Sequence, residues 1–163
     1  MRKTLLALSG LILPLVAGAA VTVEWVAPES YRDAYATSSK SDKSRQTALD
    51  DFKSFIISTA SPLVKDSDNL KISVTQLDMT GEFEQWDPRM ADVRKFKSPY
   101  SGHIAFHYAL TDASGKIIKE GDARLTNDML VMYDQRDKDA MDPYLHSSLR
   151  DWMHSNLGKA AKK

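Results

Sequence analysis

Four histidines and a scatter of carboxylates are the residues of this chain with the most obvious chemistry. His103 and His107 stand four apart in a segment that alternates like a strand, so both point to one side. Four residues of strand span about 13 Å. Two ligands of one zinc ion each lie about 2.0–2.1 Å from it, so this pair cannot chelate a metal unaided. His146 and His154 stand eight apart on a helical pattern, two turns from each other, and fail the same test. The plain expectation is polar-face histidines.

Asp78 and Glu82 flank Gly81 in LDMTGEF, and Glu120 and Asp122 flank Gly121 in KEGDA. On neighbouring strands these four carboxylates would gather at one rim and suit a hard cation such as calcium. The spacing matches no calcium loop, and carboxylates beside strand-ending glycines are ordinarily solvated turn residues. Serines are plentiful, but there is no G-x-S-x-G elbow to expose one as a nucleophile. None of the seven glycines falls in a phosphate-cradling pattern. The residues therefore present no catalytic set, no metal site and no cofactor signature. An enzyme, if this were one, would be cation-dependent or hydrolytic and would use Asp78, Glu82 and a histidine, His103 or His107.

A different signal lies between Glu82 and Gly102. Trp86, Arg89, Lys95, Phe96, Lys97 and Tyr100 concentrate aromatic and basic side chains there. Interface anchors favour Trp, Tyr and Arg, so this segment is a candidate contact for a protein, glycan or anionic ligand. In the competing reading Trp86 and Phe96 cover an end of a sheet while the charges face water. The candidate binding residues are Trp86, Arg89, Tyr100, Asp78 and Glu82.

These residues need elements to position them. Val21 to Val26 alternates as a short strand that Pro28 ends. Thr37 to Lys43 is polar and reads as an exposed loop. A helix then starts at Ser41 or Ser44, with Ala48, Leu49, Phe52, Phe55, Ile56 and Thr59 as its apolar stripe, and stops at Pro62. Leu70, Ile72 and Val74 form a strand whose phase slips by one around Thr75-Gln76. A bulge there turns Leu77 and Met79 to the same face. Residues 82 to 102 hold, on this reading, a short helix capped at Asp87-Pro88 and an irregular edge strand within Asp92 to Lys97. His103 to Leu110 and Ile117 to Leu125 make a hairpin across the turn Asp112-Ala113-Ser114-Gly115. Thr126-Asn127-Asp128 starts a single turn carrying Met129, Leu130, Met132 and Tyr133 inward, and Gln135 to Asp142 is a charged loop. Asp142 as N-cap and Pro143 at the first position open a second helix along Leu145, Leu149, Trp152, Met153 and Leu157, which Gly158 ends. The order predicts an α+β fold, a mostly antiparallel sheet of about four strands with both helices on one face. Its first strand–helix–strand unit supplies one parallel pair.

Residues 1–20 read as a secretory signal peptide of the Sec type. Arg2 and Lys3 precede an apolar run from Leu5 to Val16, and Ala17-Gly18-Ala19 is a small-x-small cleavage site. The uncharged stretch Thr4 to Val23 has 20 residues, about the number that spans a bilayer. Pro14, the glycines and the strand pattern at Val21 favour cleavage over retention as an anchor. The expectation is a periplasmic or secreted protein with no membrane span after cleavage. It comprises one domain over residues 21–158 and a frayed basic tail over residues 159–163. The chain has no cysteine, which rules out disulfides, thiol catalysis and a lipid-bearing cysteine at the cleavage site. Losing Arg2 and Lys3 leaves 20 basic against 22 acidic residues, and that balance argues against nonspecific nucleic-acid binding.

Several segments together resemble one family. They are VTVEWVAPESYRD, LKISVTQLDMTGEF, the hairpin HIAFHYALTDASGKIIKEGDARL with its following TND, and LRDWM in the closing helix. They are similar to the secreted proteobacterial proteins grouped as domain of unknown function 3016. The most specific pieces are Asp78-x-x-Gly81-Glu82 and Leu125-x-x-Asp128. The family pattern often has a second acid where this chain has Gln76, and a carboxylate in the last helix where it has His146-Ser147. Those departures weigh against an acid cluster as an essential site. The family carries no assigned activity, so the resemblance implies fold and export but no mechanism. The expected function is a non-enzymatic binding or accessory module of the cell envelope, with an envelope protein or ligand as partner.

Overall fold

The computed structural model of the chain describes residues 20–86, 88–98, 100–127 and 133–158. Residues 1–19 of the expected leader, the tail, Asp87, Pro99 and the turn at Asp128 to Met132 lie outside the described residues.

The main sheet has four strands in the order β1 (Ala20–Trp25), β2 (Asn69–Asp78), β5 (Gly102–Thr111) and β6 (Ile117–Asn127). β1 and β2 are parallel, and the other two pairings are antiparallel. Helix α1 (Asp42–Ala60) makes the crossover between the parallel strands, and α2 (Pro143–Asn156) follows β6. A separate two-stranded sheet pairs β3 (Glu82–Phe83) with β4 (Arg94–Lys95). The α+β expectation holds, with its one parallel pair.

Local chemistry sets the helix ends. The Ser41 side chain accepts from the Ser44 N–H at 3.2 Å, and that of Asp142 accepts from Leu145 N–H at 3.0 Å. Both satisfy donors that the helix leaves open. α1 turns Ala48, Leu49, Phe52 and Ile56 inward, and α2 contributes Leu145, Leu149 and Met153. They meet Leu70, Ile72 and Val74 of β2 and Ile104, Phe106 and Tyr108 of β5 in one core. Trp152 closes it with its ring edge-on to Phe106 and Tyr108, at 4.8 and 4.9 Å between centroids.

The predicted bulge is present, between Val74 and Gln76, and it keeps Leu77 and Met79 in the core beside Leu70, Ile72 and Val74. The hairpin turn is also as expected, with Gly115 at φ 84°, a conformation that favours glycine. The sheet's other face is polar. Thr22, Glu24, Lys71, His107, Asp122 and Arg124 stand exposed on it, with Asp78 and His103 half-buried at one end.

Two expectations about residues 82–102 change. Glu82 and Phe83 are a strand rather than part of a loop, and turns occupy residues 88–92 where a short helix was expected. Arg94 and Lys95 do form the strand anticipated within Asp92 to Lys97.

Candidate functional site

In open α/β sheets, ligands sit at the carboxyl ends of parallel strands. Here that end is built by the loop after β1 and the bulged end of β2. The Met79 N–H donates to the Asp33 carbonyl at 2.9 Å, which draws residues 30–33 across the end of β2. Because the bulge sends Leu77 inward, Asp78 emerges on the open face directly opposite His103 of β5. The Asp78 Oδ2 atom lies 3.9 Å from both Arg32 Nε and His103 Nδ1. Those distances exceed hydrogen-bond range. No hydrogen bond to the Asp78 carboxylate forms among the described residues, although its side chain is only 15% exposed.

The three groups border a cavity of about 210 Å³ whose other walls are Ser30, Tyr31, Thr75, Gln76 and Leu77. Arg32 and Asp78 also line a neighbouring hollow of about 140 Å³ with Glu82 and Tyr100. Burial raises the Asp78 carboxyl above its ordinary value, against the lowering pull of Arg32 and His103. Burial also lowers the His103 imidazole, and Arg124 adds to that. Each group is thus biased toward its neutral form while still facing an oppositely charged neighbour.

The aromatic and basic segment has a different construction. Glu84 is 3% exposed and takes Lys95 Nζ at 3.1 Å, Lys97 Nζ, and the Tyr100 hydroxyl at 2.9 Å. The Lys97 hydrogen bond leads in lowering the Glu84 carboxyl to about 2. The same bond raises the Lys97 ammonium, and the Tyr100 hydroxyl is raised by its own hydrogen bond to Glu84. The two lysines also stand over the Trp86 ring, at 5.4 and 6.0 Å from its centroid. Trp86 itself is 73% exposed, and Met90 and Val93 of the same segment are exposed as well. Arg94 fastens the segment to the body. Its guanidinium donates to Asp33 at 2.9 Å, to the Gly81 carbonyl at 2.8 Å and to the Tyr35 carbonyl at 2.9 Å, and it lies over Phe83.

The candidates therefore divide between two places. Asp78, Glu82 and Tyr100 border the hollows at the sheet end, while Trp86 is displayed on the segment beside them. Arg89 is exposed in the turns beyond Trp86. The rim that four carboxylates on neighbouring strands would make does not form, because β5 separates β2 from β6, in keeping with the favoured reading of these carboxylates as solvated turn residues. Asp122 instead meets His107 at 3.0 Å, in the register of Ser73. Among the described residues no three His, Asp or Glu converge to hold a metal ion.

One histidine departs from the polar-face expectation. His146 is 1% exposed, stacked on Phe55 at 4.1 Å and edge-on to Phe52, with Asp51 at 3.3 Å. The signal was present, since His146 shares helical spacing with Leu149 and Met153 on the buried face. Arg32 was also missed, and no spacing marks it. Only the crossover that lays its loop over β2 places it beside Asp78.

Comparison with known proteins places the chain more broadly. No curated protein matches it. A crystal structure from Xanthomonas campestris, of the DUF330 family, is 10% identical with a TM-score of 0.42, covering 96% of this chain and 91% of that one. A minor lipoprotein from Acinetobacter baumannii is 10% identical with a TM-score of 0.30, covering 91% and 96%. Neither likeness bears on function. The family model described as "Protein of unknown function (DUF3016)" matches residues 19–155, and the chain belongs to that family.

Proposed function

We propose that this protein is an exported binding module of the cell envelope, and that it engages its partner through the segment displaying Trp86. The observation that carries the reading is an aromatic ring 73% exposed on a segment fixed from beneath by a buried ion-pair network. An exposed tryptophan on a mobile loop would lose conformational freedom on binding, whereas one already held loses little. Tryptophan and tyrosine are also the residues that most often anchor interfaces. Export is supported by the basic, apolar and small-residue order of residues 1–20. Among the described residues no helix is long and apolar enough to cross a membrane.

The alternative, a hydrolase using Asp78, Glu82 and His103, draws on the 3.9 Å approach of Asp78 to His103. It lacks a nucleophile. The three hydroxyls bordering the cavity donate elsewhere, that of Ser30 to the Ala27 carbonyl, that of Tyr31 to the Val74 carbonyl and that of Thr75 to the Ala105 carbonyl.

The test is an affinity capture from envelope extract with wild type, Trp86→Ala and Arg89→Ala, each checked for equal thermal stability. The expected result is a partner retained by wild type and lost from Trp86→Ala. Identical profiles for all three proteins refute this surface as the site. Sequencing the amino terminus of the exported protein tests the cleavage near Ala20.

A further inference from the structure

We propose that the cavity between Arg32, Asp78 and His103 is a binding site for a small α-amino-acid zwitterion, whose ammonium is received by Asp78 and whose carboxylate is received by Arg32. The inference is independent of the Trp86 surface, and either can fail without the other.

The Asp78 carboxylate is the starting point. It is half-buried on the cavity wall, and no hydrogen bond within the described residues occupies it, so its oxygens are open to a donor entering the cavity. Its neighbours at 3.9 Å approach without closing on it. An ammonium presents three N–H donors, enough to engage the carboxylate and still reach His103. Arg32 supplies the complementary end. Its side chain is 81% exposed, so the guanidinium is available to pair with an incoming carboxylate in the two-point geometry that suits it.

Size and lining narrow the class. A volume of about 210 Å³ is below the roughly 300 Å³ at which pockets for drug-sized ligands begin, so the occupant has few heavy atoms. A sugar would want a broad aromatic face to stack on, and the one tyrosine in the lining withholds its ring, being 5% exposed with its hydroxyl donating to the Val74 carbonyl. A lone anion would meet Asp78, and a lone cation would meet Arg32. Only a ligand carrying both charges satisfies both walls. Burial works against the ionised Asp78, and an ammonium arriving beside it offsets that cost.

The experiment titrates the full-length protein with L-alanine and follows the His103 ring by NMR, with heat of binding measured in parallel. Glycine betaine, acetate, methylammonium and methyl glucoside are run as separate arms. L-alanine is expected to give a saturable shift at His103. The four other probes should bind at least about tenfold more weakly, since betaine cannot donate N–H and the rest lack one or both charges. Asp78→Asn and Arg32→Gln are each expected to weaken L-alanine by at least about tenfold. No saturable shift with L-alanine overturns the proposal. So does any other probe binding as tightly, or undiminished binding by Arg32→Gln. The exposure of Arg32 keeps that last variant folded, so the proposal stays testable even if Asp78→Asn unfolds.

Discussion

Asp78 and His103 are 3.9 Å apart at the sheet end, and burial holds each away from its charged form. The His103 imidazole, lowered from 6.5 first by burial and then by Arg124, is pulled the other way by Asp78. This fixes the sign of two substitutions. Asp78→Asn removes the attraction that favours imidazolium, so the His103 midpoint falls further. Arg124→Gln removes a repulsion, so the midpoint rises. An NMR titration of the His103 ring in wild type and both variants reads the two shifts. Equal midpoints in all three proteins would show that the ring senses neither group. At this scale the sequence was partly legible. Asp78 drew attention because it flanks Gly81, and His103 because it alternates with buried residues. Arg32 could not be read, since its role depends on a loop crossing from one strand end to another. The alternation along β5 places His107 on the same face as His103, but its pairing with Asp122 follows only from β6 lying next to β5.

Among the elements, α2 depends most on one side chain. Asp142 is 0% exposed and uses both carboxylate oxygens, one for the Leu145 N–H at 3.0 Å and one for the Thr80 N–H at 2.6 Å. It therefore caps the helix and ties it to the end of β2. Asp142→Ala removes the cap and strands a buried donor, at a cost of about 2–4 kcal/mol in urea unfolding. Asp142→Asn has one oxygen for two donors and should fall between alanine and wild type. Equal stability of the asparagine variant and wild type would mean that the tie to Thr80 contributes nothing. The cap was legible because Asp-Pro before an apolar stripe is a local signal, and so were the bulge and the hairpin turn. Residues 82–97 were not. Their order comes from Arg94 reaching Asp33, 61 residues away, and from Glu84 gathering Lys95, Lys97 and Tyr100. Such pairings leave no period in the sequence, so it offers a short helix at Asp87-Pro88 that does not form and an irregular edge strand at Asp92 to Lys97 whose partner, Glu82 and Phe83, it does not name. The Ser38 hydroxyl on Asp92, and Gln85 Nε2 on the Ser38 carbonyl at 3.1 Å, pin the segment again to the loop before α1.

The described residues form a sheet with two helices on one face and a polar face opposite, and beside it a β3–β4 segment whose own residues are gathered by charge around Glu84 and which Arg94 ties to Asp33. A charge network inside the segment makes this part of the molecule sensitive to acid in a direction that can be worked out. Glu84 falls from 4.5 to about 2 in the folded protein, chiefly through the Lys97 hydrogen bond. A carboxyl depressed by folding contributes stability above its unfolded value and loses it as the pH drops through its folded one. Glu84→Gln removes the ion pairs but keeps the shape. At neutral pH it should be less stable than wild type, and the gap should narrow as the pH falls from about 5 toward about 2. Asp78 and Asp142, both raised by burial, run the opposite way, but they are present in both proteins and cancel in the difference. Urea midpoints for the pair across this range measure the gap, and the difference in tryptophan fluorescence between wild type and Trp86→Phe reports on the segment itself. A gap that stays constant with pH would mean that Glu84 acts through packing alone. A gap that closes, with the Trp86 signal changing in the same window, would tie the display of that ring to the charge network beneath it.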